Sequence, residues 1–374
     1  MLQAAGDPVT LSTNASTALR FPRLSAVDGE TAALGGGFQT LGIPAGTLPV
    51  GYATIKPWKT WPLVPPPLAQ ITFGGGSAFE LAGGEGNLWL LSATGAEAQG
   101  KGLSLLRLLG SAPPEDLVLV EAQAQRPAFF SVSAGALLAG GDLGGLLRAS
   151  RVEGEKVTAL APSLGCASQG MPLWAGAARL PGGADLLMAT SRNPPPVCDQ
   201  FENVPQGPPL RILLYRRDGQ ELTLLQDRDE GVTVMFAGLI PRSDGVWLVH
   251  QLGDGVTSGP VVAERLGADG APTGQNVEVF PSGMIFSPLA LAPLGDRLAV
   301  VWSDDLGQVT KLLAKVVGDD GQTPPVLFSN DFAPERRALG SPDGKSLLVA
   351  WETNDGASSS TIRLLRLDCS PEAQ

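Results

Sequence analysis

Along the chain, short apolar segments alternate with turns rich in Gly and Asp at intervals too close for helices. LSLLRLLG (103–110), LRILLYRRDGQ (210–220), PVVAERLGADGAP (260–272) and TKLLAKVVGDDGQT (310–323) are each the length of one strand, and most run into a charged turn. A strand needs only about five or six residues, whereas a helix needs an apolar stripe sustained over about three turns. Seven segments share one form, an apolar stretch, a Gly/Asp turn and a second, more strongly apolar stretch: 21–36, 71–93, 128–150, 171–191, 234–251, 286–304 and 332–352. Further strand-like segments follow most of them, such as LVLVEA (117–122), LTLLQD (222–227), NVEVF (276–280) and PVLFS (325–329).

Each unit thus supplies up to four short strands joined by tight turns, repeating every 40 to 60 residues or so. That pattern predicts an all-β chain folded as a seven-bladed β-propeller, with six blades as the alternative because the first and third units are the least regular. The blades are expected at 14–66, 67–125, 126–165, 169–227, 230–281, 284–330 and 331–370, in a single domain covering 1–374. The last unit ends at its third strand, TIRLLRLD (361–368), while an unpaired VTLST (9–13) begins the chain. Residues 9–13 are therefore expected to complete the final blade, closing the ring and hiding two strand edges. The Pro-rich stretches at 62–67 and 192–209 read as loops within the domain.

LGSPDGKSLLVAWETNDG (339–356) resembles the WD40-like repeat of bacterial TolB-type propellers, through Ser341, Pro342, Asp343, Gly344 and Lys345 followed by an apolar strand. SDGVWLVHQ (243–251) and LGDRLAVVWSD (294–304) match more loosely. The resemblance is to a repeat type and implies a fold; propellers of this kind are mostly binding modules, some beside peptidase domains. Here the repeats occupy nearly the whole chain, so no attached catalytic domain is expected.

Composition sharpens this picture. Gly (48) and Pro (32) make up about a fifth of the 374 residues, which disfavours helical bundles, and a 43% hydrophobic share disfavours disorder. With 26 basic and 37 acidic residues the net charge is −11, which repels a phosphate backbone and anionic membranes, so neither nucleic acid nor membrane insertion is expected. A cationic partner suits the charge better. Met1 is followed by neither a basic start nor an apolar core, so no signal peptide is read here. The protein is expected to be exported, to the periplasm, cell surface or medium, its signal absent from this chain; a cytoplasmic location is the alternative.

Three cysteines lie outside any zinc or redox spacing. Cys166 and Cys198 occupy polar loop sequences expected on one face, where a disulfide would pin the insertion 191–209; three free thiols are the alternative. The same face is expected to gather Asp199, Glu202, Asp254, Asp304, Asp305 and Asp355 from successive second-to-third strand loops. These acids are candidates for a negative rim or for calcium, although no Asp-x-Asp-x-Asp-Gly loop occurs and ordinary turn residues are the simpler reading. No cofactor is otherwise expected.

His250, the only histidine, is read as excluding a triad or a multi-histidine metal site and leaves at most one general base; a packed, hydrogen-bonded role at a strand end is expected. Trp89, Trp247, Trp302 and Trp351 are expected at equivalent second-strand positions and read as packing between blades. Trp58 and Trp61, in IKPWKTWPLVPPP (55–67), read as an exposed pair for a protein or sugar. The function expected is a non-catalytic binding or scaffold propeller presenting one face to a protein or glycan partner. The alternative is a carboxylate-based glycoside hydrolase or lyase in the central funnel.

Overall fold

The computed structural model describes the chain except residues 12–16, 41–46, 65–66, 75–78, 85, 94–102, 110–115, 120–125, 134–135, 144–145, 154–155, 167–173, 194–206, 220, 255–256, 284–288, 305–310, 332, 334, 355–359 and 371–374. All regular elements among the described residues are strands. After β1 (Leu2–Ala4) and β2 (Val9–Leu11), the first sheet runs β3 (Thr17–Ala26), β4 (Ala32–Thr40), β5 (Thr47–Ile55) and β6 (Ala69–Gly74). The second holds β7 (Phe79–Gly84), β8 (Asn87–Ala93), β9 (Leu103–Leu109) and β10 (Asp116–Leu119); the third holds β11 (Arg126–Ser133), β12 (Ala136–Leu143), β13 (Leu146–Glu153) and β14 (Lys156–Cys166). The fourth comprises β15 (Ala175–Arg179), β16 (Asp185–Ser191), β17 (Arg211–Asp218) and β18 (Glu221–Asp229), and the fifth β19 (Thr233–Pro241), β20 (Val246–Gly253), β21 (Ser258–Leu266) and β22 (Pro272–Phe280). In the sixth, β23 (Ala290–Leu294), β24 (Arg297–Asp304) and β25 (Lys311–Gly318) are followed by β26 (Gly321–Gln322) and β27 (Val326–Ser329), both on β25. The seventh is β28 (Arg336–Gly340), β29 (Ser346–Asn354) and β30 (Ser360–Cys369).

Every pairing is antiparallel, and the first strand of each sheet touches the first strand of the next: β3, β7, β11, β15, β19, β23, β28 and back to β3. The chain is therefore an all-β propeller whose first strands surround an axial channel. The N-terminal residues close it, because Val9, Thr10 and Leu11 pair with Leu364, Arg363 and Ile362 of β30. A further strand that sequence reasoning missed, β1, extends along the same edge, with Leu2 opposite Cys369 and Ala4 opposite Leu367. One boundary moves: Ala69–Gly74 is the outer strand of the first sheet, not the start of the second, because it pairs with β5 from Tyr52 to Thr47.

The core lies between sheets. Leu347, Val349 and Trp351 of the seventh sheet meet Ala299, Val301 and Ala314 of the sixth, and Val249 and Ala263 of the fifth meet Val300 and Trp302 of the sixth. Second strands are covered on both faces, which is why β16 reads DLLMATS with all seven residues buried. Outer strands read differently: β18, ELTLLQDRD, is exposed at alternate and end positions, with charges that discourage edge pairing. The Ser341–Lys345 segment shows the turn chemistry that its sequence promised. Ser341 Oγ accepts from the Lys345 and Ser346 N–H groups (3.1 and 2.9 Å), Asp343 Oδ1 accepts from Lys345 N–H (3.1 Å), and Gly344 takes φ +68°, a left-handed angle that glycine tolerates.

Candidate functional site

In each sheet the loop between second and third strands opens on the face where the first strand begins. Of the acids expected there, Asp254 and Asp304 are described, whereas Asp199, Glu202, Asp305 and Asp355 lie outside the described residues. Asp254 closes its own loop, Oδ1 accepting from Thr257 N–H at 2.6 Å, and half-buried Asp304 ends β24 opposite Lys311. No group of three or more His, Cys, Asp or Glu side chains disposed to hold a metal occurs among the described residues. Cys166 is buried and disulfide-bonded, and Cys369 is a free thiol. Cys198 lies outside the described residues.

Trp58 and Trp61 are not the exposed pair that their Pro-rich context suggested. They sit in the β5–β6 connection, on the face opposite the acids, and both pack half-buried on the core between the seventh and first sheets. Trp61 also reaches the core between the sixth and seventh sheets. The aromatic area that seemed available for a ligand is spent on anchoring the sealed edge, where Arg366 Nη1 also donates to the Pro57 carbonyl at 2.9 Å. The second-strand tryptophans occupy two positions rather than one. Trp89 and Trp247 lie next to the first turn and Trp302 and Trp351 near the strand's far end, although Trp247, Trp302 and Trp351 are all buried in packing between sheets.

His250 is buried near the end of β20, its Nε2 3.9 Å from Glu264 Oε2, and its Nδ1 has no hydrogen-bond partner among the described residues. Burial, then the nearby Arg228 guanidinium, hold its pKa down at about 4, outweighing the pull of Glu264. A neutral, enclosed imidazole between two sheets is a packing residue, although not the hydrogen-bonded one expected.

The structure gathers a different set of groups at the channel mouth on the acid-bearing face. Arg20 and Arg23 come from β3, Glu80 from β7, Arg337 from β28, Glu335 from the position just before β28, and Glu352 from β29. Arg23 Nε lies 3.0 Å from Glu80 Oε2, and Arg337 bridges Glu80 (3.7 Å) and Glu335 (3.5 Å). The Arg337–Glu80 contact joins the seventh sheet to the second, past the first, so both side chains project into the channel. Arg20 Nε stands 3.6 Å from Glu352 Oε1, beyond hydrogen-bonding range, and is buried without a hydrogen-bond partner among the described residues.

Local backbone geometry makes this possible. Phe21 takes φ +57° where the β3 register shifts between Arg20 and Arg23, and its N–H donates to Glu352 Oε2 at 3.2 Å. A phenylalanine in the left-handed region costs about 1–3 kcal/mol, and such strain concentrates at functional sites. Burial raises the Glu352 carboxyl pKa above its ordinary range, against the opposing pull of the Phe21 N–H and Arg20. Burial likewise lowers the Arg23 guanidinium pKa. The inner strands β15 (AGAAR) and β23 (ALAPL) are by contrast made mostly of small apolar residues.

No protein-family model and no curated protein sequence matches the chain. Among solved structures, it is similar to a protein of unknown function from Dyadobacter fermentans DSM 18053, at 13% identity and a TM-score of 0.54 over 99% of each chain. It also aligns with the hemagglutinin-neuraminidase ectodomain of parainfluenza virus 5 (10% identity, TM-score 0.48, 98% of this chain and 84% of that one). A third is the subtype N11 neuraminidase-like protein of A/flat-faced bat/Peru/033/2010 (H18N11), at 11% identity and a TM-score of 0.46, covering 99% and 95%. At these identities the likeness is one of fold alone.

Proposed function

We propose that the protein is a non-catalytic binding propeller, its seven sheets serving as seven blades of the WD40-like, TolB-type repeat, with the partner docking on the face that carries the axial arginine–glutamate cluster. The observation that carries this reading is the cluster itself: three arginines and three glutamates from three sheets held around the channel mouth by a strained backbone. Binding is favoured over catalysis by the state of its carboxylates. Glu80 and Glu335 are engaged by arginines, and Glu352, 6% exposed at its side chain, points to the Phe21 amide rather than the channel.

The partner is a protein or a glycan. Export fits the disulfide at Cys166, for which Cys198 is the natural mate, since extracellular compartments maintain such bonds. The acidic loops remain a proposed rim for cationic groups, and calcium a ligand to be tested there. Affinity capture from the native source with salt-gradient elution tests the reading: one stoichiometric partner supports it, and a blank at low salt overturns it. A second reading, hydrolysis of a glycosidic bond, is favoured by one observation, the raised pKa of Glu352, and requires a Glu352→Gln variant to abolish turnover.

A further inference from the structure

The axial cluster allows its ligand to be specified by chemistry, a step that rests on the binding reading above. Its charges balance: Arg20, Arg23 and Arg337 face Glu80, Glu335 and Glu352. An anionic ligand would have to displace a glutamate from an arginine, and a cationic one an arginine from a glutamate. Neighbouring guanidinium and carboxylate groups instead present donors and acceptors side by side, and a hydroxyl group, donor and acceptor at once, satisfies both. The groups are within reach of solvent, with side-chain exposures of 36% for Arg20, 28% for Glu80, 34% for Arg337 and 35% for Glu335.

We propose that the channel mouth formed by Arg20, Arg23, Glu80, Glu335 and Arg337 is a binding site for a neutral, polyhydroxylated ligand, a sugar residue of a glycan. Glu80 is the central acceptor because arginines of two sheets flank it, Arg23 at 3.0 Å and Arg337 at 3.7 Å. Vicinal hydroxyls of the sugar bridge it to Arg337, while Arg20 donates to a further oxygen.

The test is saturation-transfer NMR and calorimetry of the full chain with neutral oligosaccharides of glucose, galactose, mannose and N-acetylglucosamine, beside glucuronate-containing and sulfated ones. The expected result is binding of at least one neutral sugar, weakened about tenfold or more by Glu80→Gln and by Arg337→Met, as the loss of one charged hydrogen bond predicts. Glu278→Gln, on the exposed outer strand β22, should bind as the parent does. Melting curves identify any variant that fails to fold, and near-isosteric Glu80→Gln is the one expected to keep its fold. Binding of none of the neutral sugars, binding of anionic ones only, or neutral-sugar affinity unchanged in both variants overturns the proposal. The two readings fail separately. A captured partner retained by Glu80→Gln leaves the binding propeller standing without the axial site, and a sugar bound at the axial site but cleaved there leaves the site without the non-catalytic reading.

Discussion

His250 offers a direct test of how the sheets pack, because it is the chain's one histidine and its imidazole is sealed between the fourth and fifth sheets. Around it stand Glu264 of β21, Arg228 of β18 and Glu230 just beyond β18, with Arg228 bound to Glu264 at 2.6 Å and to Glu230 at 3.1 Å. Desolvation first, and Arg228 second, lower its pKa from 6.5 to about 4. In the unfolded chain the imidazole binds a proton below pH 6.5, whereas in the folded protein it does so only near 4. The unfolded state therefore holds more protons in that window, and stability must fall as pH falls through it. The difference of 6.5 − 4 = 2.5 units corresponds to about 3 kcal/mol. Denaturant unfolding from pH 7 to pH 4 should show the parent losing roughly that much more than His250→Phe, which keeps the ring and cannot titrate. The imidazole Cε1–H signal, free of overlap from any other histidine, should titrate near pH 4. Parallel stability curves, or a midpoint between 6 and 7, would refute the reasoning.

Other consequences are open to measurement. Gly340→Ala would put a methyl group onto the Pro293 carbonyl oxygen, where β28 packs against β23, so it should lower stability by roughly 1–3 kcal/mol in thermal melting. Deleting residues 1–11 removes both strands on β30; the shortened chain should melt earlier and aggregate at its exposed edge, as light scattering would report. Lys315, enclosed over the Phe280 ring at 3.8 Å with Nζ donating to the Val279 carbonyl and to Gln322 Oε1, has its pKa lowered by burial to about 8. The folded protein sheds this proton before the unfolded chain does, so stability should rise between pH 8 and 10.5, and Lys315→Met should abolish that rise.

Much of the architecture was legible because strand and turn chemistry are local. The continuous apolar runs of second strands, the Ser341–Lys345 turn and the spare strand at 9–13 all pointed to a ring closed at its N-terminus. The short β1 escaped notice because three residues, LQA, carry no alternation to read. Ala69–Gly74 was misplaced because an outer strand and a following inner strand are separated only by a glycine-rich stretch. The candidate site was much less legible. Arg20 meets Glu352 across 332 positions, and only ring closure brings them together. The signal that was present is compositional: FPRL, AFEL and ERRA put charged residues on inner strands, at the positions that meet in the channel. Trp58 and Trp61 misled because a Pro-rich setting says nothing about what the N-terminal strands will cover.

The central claim is that this propeller binds its partner and does not transform it. Native mass spectrometry of the full chain with the neutral oligosaccharide panel, sampled over hours, addresses it most directly. The account predicts an intact sugar bound one to one by the parent and lost from Glu80→Gln, with no smaller saccharides appearing. Accumulating cleavage products that vanish with Glu352→Gln would contradict it and make the axial cluster an active site.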